Sequence, residues 1–70
     1  MQLTTTQFDA LAKLIRMGDT ASCRAARSIL VDGVGPTAAG EMHGITQAAA
    51  SKAAIRVTAA MELAKIATAA

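Results

Sequence analysis

Apolar residues recur with a helical period along most of this chain, and turn-forming residues divide that pattern into four segments. Thr4-Thr5-Thr6-Gln7 reads as a capping box, with Thr4 as the cap and Gln7 reaching back three residues on. Behind it Phe8, Leu11, Ala12 and Ile15 share one face, broadened by Leu14, while Asp9, Lys13 and Arg16 fall off it; a helix to about Met17 is predicted. Gly18-Asp19 reads as a stop followed by a cap. A second helix is expected from Thr20 to Val31, with Cys23, Ala26, Ile29 and Leu30 inward and Arg24 and Arg27 outward. Asp32-Gly33 ends it, and Gly35-Pro36 restarts the chain, since proline is favoured in a first turn. The third helix is short, about Pro36 to His43.

Gly44 follows, then Ile45 and Thr46. Glycine enters the left-handed conformation that ends a helix without a Cβ penalty. Ile45 supplies an apolar anchor for the turn, and the Thr46 hydroxyl can cap what comes next. Small residues at Ala39 and Gly40 would let two helices cross steeply and closely. These features together predict a helix-turn-helix, although a plain structural corner in any small helical protein could carry the same glycine. The fourth helix meets no breaker before the C-terminus, so a near-continuous helix to about Ala69 is expected, with division near Thr58 as the alternative.

Composition agrees with helix. Eighteen alanines, one phenylalanine and no tyrosine or tryptophan favour helices over a packed sheet. The expected fold class is therefore all-α: a compact four-helix domain, or five helices if the last divides. Seventy residues bury a modest core, for which oligomerisation is a common remedy. The positive mean hydropathy comes from alanine, and Lys52, Arg56, Glu62 and Lys65 interrupt the longest apolar stretch, so no membrane span is expected. No secretory signal is visible at the N-terminus, which suggests a cytoplasmic protein. The single cysteine, Cys23, has no intrachain partner and sits among Ala21, Ala25 and Ala26, as a small buried hydrophobe would.

The net charge of +2 matters less than its distribution. From His43 to Thr58 there are Lys52 and Arg56 and no acid; Asp9, Asp19, Asp32, Glu41 and Glu62 all lie elsewhere. A helix with Ile45, Ala50, Ala53 or Ala54, and Val57 inward presents Thr46, Gln47, Ala48, Ser51, Lys52, Ile55 and Arg56 outward. Chemistry suits this arc to double-stranded DNA. Gln47 can pair with adenine, Lys52 with guanine, and Ala48 can touch a thymine methyl; Ser51 is versatile. Arg56, Thr46 with the free amides at the helix start, and Thr37 near the start of the third helix suit phosphates. A solvated helix face is the plainer alternative. In the far half of the fourth helix, Val57 to Ala70, the residues Val57, Met61 and Ala64 form one apolar line and Leu63, Ile66 and Ala70 another. That belt suits either a partner helix, as in a homodimer, or folding back onto the first helix.

The segment LVDG, a nearby proline, then GITQAAASKAAIRV resembles the TrfB/KorA family of plasmid and phage transcriptional repressors. The resemblance covers roughly Ala25 to Val57. Leu30-Val31-Asp32-Gly33, Gly44, Thr46, Ala49, Ser51, Ala53, Arg56 and Val57 stand where the family pattern has the same residues, without a gap. Thr6-Gln7-Phe8 and Ala10-Leu11-Ala12 resemble the start of small phage-encoded relatives, including anti-CRISPR-associated regulators. The resemblance implies a dimeric repressor that binds an inverted repeat in a promoter, often its own. There are departures. Ala50 and Ala54 stand where plasmid members have valine, Ala39 where they have a bulky residue, and Gln47 and Lys52 where they have arginine and glutamine. A dimer is expected to use helices of this one domain, the belt after Val57 or helix 1, rather than the family's separate C-terminal domain.

Catalysis is not expected, because one histidine, one cysteine and scattered acids offer no nucleophile with its base and no metal-ligand cluster. No cofactor is implied. Two other roles fit the sequence: a small phage or plasmid protein that inhibits a host protein through a helical surface, and an architectural factor for excision that bends DNA.

Overall fold

A computed structural model of the chain describes residues 2–69 and contains four helices: α1 Thr5–Leu14, α2 Ala21–Leu30, α3 Pro36–His43 and α4 Gln47–Ala69. Among the described residues there is no strand, and the all-α class expected from the sequence holds. The helices α2, α3 and α4 pack closely on one another, and α1 lies more lightly against α2 and α4. No helix among the described residues is long and apolar enough to cross a membrane.

The capping box at the start of α1 forms in full. The Gln7 amide donates to the Thr4 hydroxyl at 3.1 Å, and the Thr4 amide donates to Gln7 Oε1 at 3.0 Å. The helix stops at Leu14, three residues before the expected end, because Arg16 turns left-handed at φ 56°. That turn lets the Met17 amide reach back to the Ala12 carbonyl at 2.8 Å and brings the Met17 side chain onto the core. Gly18 is therefore not the stop, and Leu14, expected to widen the buried stripe, is 66% exposed. Thr20, rather than Asp19, caps α2 by accepting from the Cys23 amide at 3.1 Å, while Asp19 pairs with Arg24 at 2.7 Å.

The helix α4 runs unbroken for 23 residues. Thr58, a candidate dividing point, donates its hydroxyl to the Ala54 carbonyl at 3.0 Å and sits within the helix without ending it. The inward register is Ala50, Ala53, Ala54, Val57 and Ala60, all buried. Val57, counted from the sequence among candidate dimer contacts, is a correction: it is completely buried within the chain's own core and offers no surface to a partner. Met61 packs on the same core, and with Ala64 it lines a groove of about 350 Å³ against Leu3, Gln7, Ala10 and Leu11. This line of the belt thus folds back toward α1. Leu63 and Ile66 instead stand 67% and 68% exposed, and Ala70 lies outside the described residues.

The core has two parts. The larger gathers Leu3, Phe8, Ala12, Ala26, Leu30, Ala53, Ala54 and Val57; the smaller consists of Ala25, Ala39 and Ala50, flanked by Ile29, Val34 and Ile45. An N-terminal strap closes the first. The Leu3 amide donates to the Leu30 carbonyl at 2.7 Å, and Gln2 Nε2 donates to the Val31 carbonyl at 2.7 Å, which holds the Leu3 side chain in the core.

Candidate nucleic-acid interface

The corner between α3 and α4 is fixed by backbone geometry more than by side-chain bulk. Gly44 is left-handed at φ 70°, and both its amide and that of Ile45, the latter at 2.9 Å, reach the Gly40 carbonyl. Gly40 is equally constrained. A Cβ there would lie 2.7 Å from the Ile45 carbonyl oxygen and 3.1 and 3.2 Å from the Thr46 carbonyl carbon and oxygen, all of them backbone atoms. Only glycine lets the turn fold this tightly over α3. Ile45 then packs on Ala25, Ala39 and Ala50, and Thr46 accepts from the Ala49 amide at 3.0 Å to cap α4.

A polar tie supports the same corner from below. Ser28 of α2 is buried and its Oγ lies 2.9 Å from His43 Nε2, at the last residue of α3. The sequence placed His43 at the end of the third helix and did not single out Ser28. The pair joins the end of α3 to α2, so the elements that set the direction of α4 are linked by hydrogen bonds as well as by packing. Helical spacing gave no signal for it: Ser28 stands one turn from the outward Arg24 and on the far side of α2 from Ala26 and Leu30, and it is buried because α3 covers that face.

With α4 thus aimed, its first half exposes Gln47, Ala48, Lys52, Ile55 and Arg56, and Thr46 is exposed at its cap. Ser51 is half-buried at the edge of this arc. Thr37 is exposed on the first turn of α3, a separate element. At about 100° per residue, Ala48, Lys52 and Ile55 fall on one strip of α4 opposite the buried line, and Gln47 and Arg56 lie on either side of it. Helical geometry also leaves the Gln47 and Ala48 amides without intrahelical acceptors.

The distribution of ion pairs sharpens the electrostatics. Arg24 pairs with Asp19, Arg27 lies 3.7 Å from Asp9, and Lys65 lies 3.9 Å from Glu62. Among the described residues Lys52 and Arg56 enter no ion pair, so the arc keeps its full positive charge. A second groove, of about 420 Å³ between α1 and α2, is lined by Phe8, Met17 and Cys23 with ion-paired residues at its rim. Cys23 there is half-buried, not fully buried as its alanine neighbours suggested. Burial and the carboxylates of Asp19 and Asp9 raise its thiol pKa, which disfavours the thiolate. Among the described residues, no three of histidine, cysteine, aspartate and glutamate gather as metal ligands would.

Comparison of the chain with protein-family models, with curated proteins and with solved structures finds no match.

Proposed function

We propose that this chain is a sequence-specific DNA-binding transcriptional repressor of TrfB/KorA type that acts in the cytoplasm as a homodimer on an inverted-repeat promoter operator, its own among them. The observation that carries this reading is the union of a tight glycine corner with an exposed helix start whose two cations, Lys52 and Arg56, enter no ion pair among the described residues. A helix projected from such a corner enters a major groove with its N-terminal turns foremost. Gln47 and Lys52 then face base edges, Ala48 and Ser51 line the same turns, and Arg56 with Thr46 and the free amides of the first turn hold phosphates. Thr37 clamps backbone from α3. The exposed Leu63 and Ile66 supply the dimer contact, at the far end of the helix from the reading residues.

The test is a gel shift on the DNA immediately upstream of the chain's own gene, titrated with salt. Binding should weaken as salt rises, because counterions return to the phosphates. Lys52→Ala should relax base preference, whereas Arg56→Ala should weaken all sequences alike and lower the salt slope by about one. If nothing shifts at low salt, the reading fails, and the exposed Leu63 and Ile66 favour docking on a host protein instead.

A further inference from the structure

The reading strip of α4 contains one large residue with no polar chemistry to offer a base edge. Ile55 is 66% exposed, yet its neighbours three and four residues away on the helix surface are Ser51, Lys52, Thr58 and Ala59, none of them a large apolar side chain. It cannot belong to a self-association surface at modest cost, because a second copy laid over it would bring its own Lys52 and Arg56 against these, with no acid among the described residues of the first half of α4 to offset them. Leu63 and Ile66 differ in this respect, since the Glu62–Lys65 pair beside them is neutral as a unit.

The geometry points to Ile55 as a reader of thymine, seated on the C5-methyl group, beside a guanine bonded by Lys52. This rests on the DNA reading proposed above and makes it more specific. Among the base edges of the major groove, thymine alone presents an apolar methyl group; apart from the small C5–H of cytosine, the groups that distinguish the other bases there are hydrogen-bond donors and acceptors. Pressed against one of those, the isoleucine would strip its water and return no bond, a loss in place of a gain. Ala48 lies on the same strip, about 10 Å along the helix from Ile55, with Lys52 between them. That span corresponds to roughly three base-pair rises of about 3.4 Å, so an apolar contact is available on either side of the guanine contact. The strip therefore selects a site in which thymine adjoins guanine.

The experiment begins with selection from randomised duplexes by the full chain, followed by binding of the selected duplex made with thymidine or with deoxyuridine. Uracil keeps every hydrogen-bonding group of thymine and lacks only the methyl. Wild type should enrich thymine next to guanine and lose about fourfold in affinity for each buried methyl removed. Ile55→Ala should bind the thymidine and deoxyuridine duplexes equally at that position, and its melting transition should match wild type because the side chain it loses is exposed. Enrichment of a site that is insensitive to deoxyuridine would overturn the thymine assignment and leave the repressor reading standing. Methyl sensitivity that survives in Ile55→Ala at every thymine where wild type shows it would overturn the role of this residue. Binding without enrichment, or none at all, would overturn both readings.

Discussion

The two parts of the core solve different problems. Around Phe8, Leu30 and Val57 the chain buries its bulky side chains, with Leu11, Ile15 and Met61 packed at the edge. Around Ala25, Ala39 and Ala50 it buries almost no volume, yet this is where three helices meet and where the α3–α4 corner is held. The first part supplies free energy in proportion to the apolar area removed from water. The second contributes less by area and fixes direction, since small side chains let backbones approach and leave few alternative packings. Stability and aim are thus separable in this molecule, and substitutions should distinguish them.

The largest effect is expected in the first region. Phe8 is 2% exposed and is the chain's only aromatic residue. Truncation to alanine should cost about 3–5 kcal/mol, the size of the whole contribution expected from a core this small. Phe8→Ala should therefore lose its cooperative thermal transition by circular dichroism. Retention of a cooperative melt within about 1 kcal/mol of wild type would show that the bulky cluster does not dominate stability.

A smaller but more local effect is expected in the second region. Gly40→Ala removes no apolar contact and adds one methyl, but that methyl meets backbone oxygen and carbon of Ile45 and Thr46, which cannot swing aside as a side chain would. Overpacking of this kind should cost about 1–3 kcal/mol and displace the start of α4. Gly18→Ala is the matching control, because a Cβ there meets nothing within 4 Å and the backbone is not left-handed. It should be neutral or stabilising by up to about 1 kcal/mol, through the entropy of the unfolded chain. Equal melting temperatures for the two variants would remove the distinction between an aimed corner and an ordinary one.

The same contrast explains what the sequence disclosed. The second region was legible because its signals are local: Gly44, Ile45 and Thr46 each do a job set by their immediate neighbours, and the inward register of α4 follows from period alone. So was the exposure of Gln47, Ala48, Lys52, Ile55 and Arg56, although Ser51 sits deeper than the arc suggested. The first region depends on contacts distant in sequence. The strap from Gln2 and Leu3 to Val31 and Leu30 spans most of two helices, and no periodicity marks it. Met61 looked like surplus apolar surface, and Val57, inward for the first half of α4, was counted with the same belt, because pattern cannot tell a face covered by α1 from one left for a partner.

The smallest expected effect concerns the corner that belongs to the first region. There the left-handed residue is Arg16, not glycine, and it is held at φ 56° by the Met17 amide bonded to the Ala12 carbonyl and by Met17 packed on the bulky cluster. An L residue in this conformation carries a steric cost of roughly 1–2 kcal/mol, which the α3–α4 corner avoids by using Gly44. Arg16→Gly should relieve that strain, offset in part by the greater freedom of glycine in the unfolded chain, for a net gain of up to about 1 kcal/mol. Gly44→Ala, the converse change, should lose about 1–2 kcal/mol. Denaturant midpoints measured on the two variants should therefore move in opposite directions. Arg16 is exposed and enters no ion pair among the described residues, so its removal takes away no folded contact that would mask the gain. A fall in midpoint for Arg16→Gly would mean that packing of Met17 alone dictates this turn and that its backbone bears no strain worth relieving.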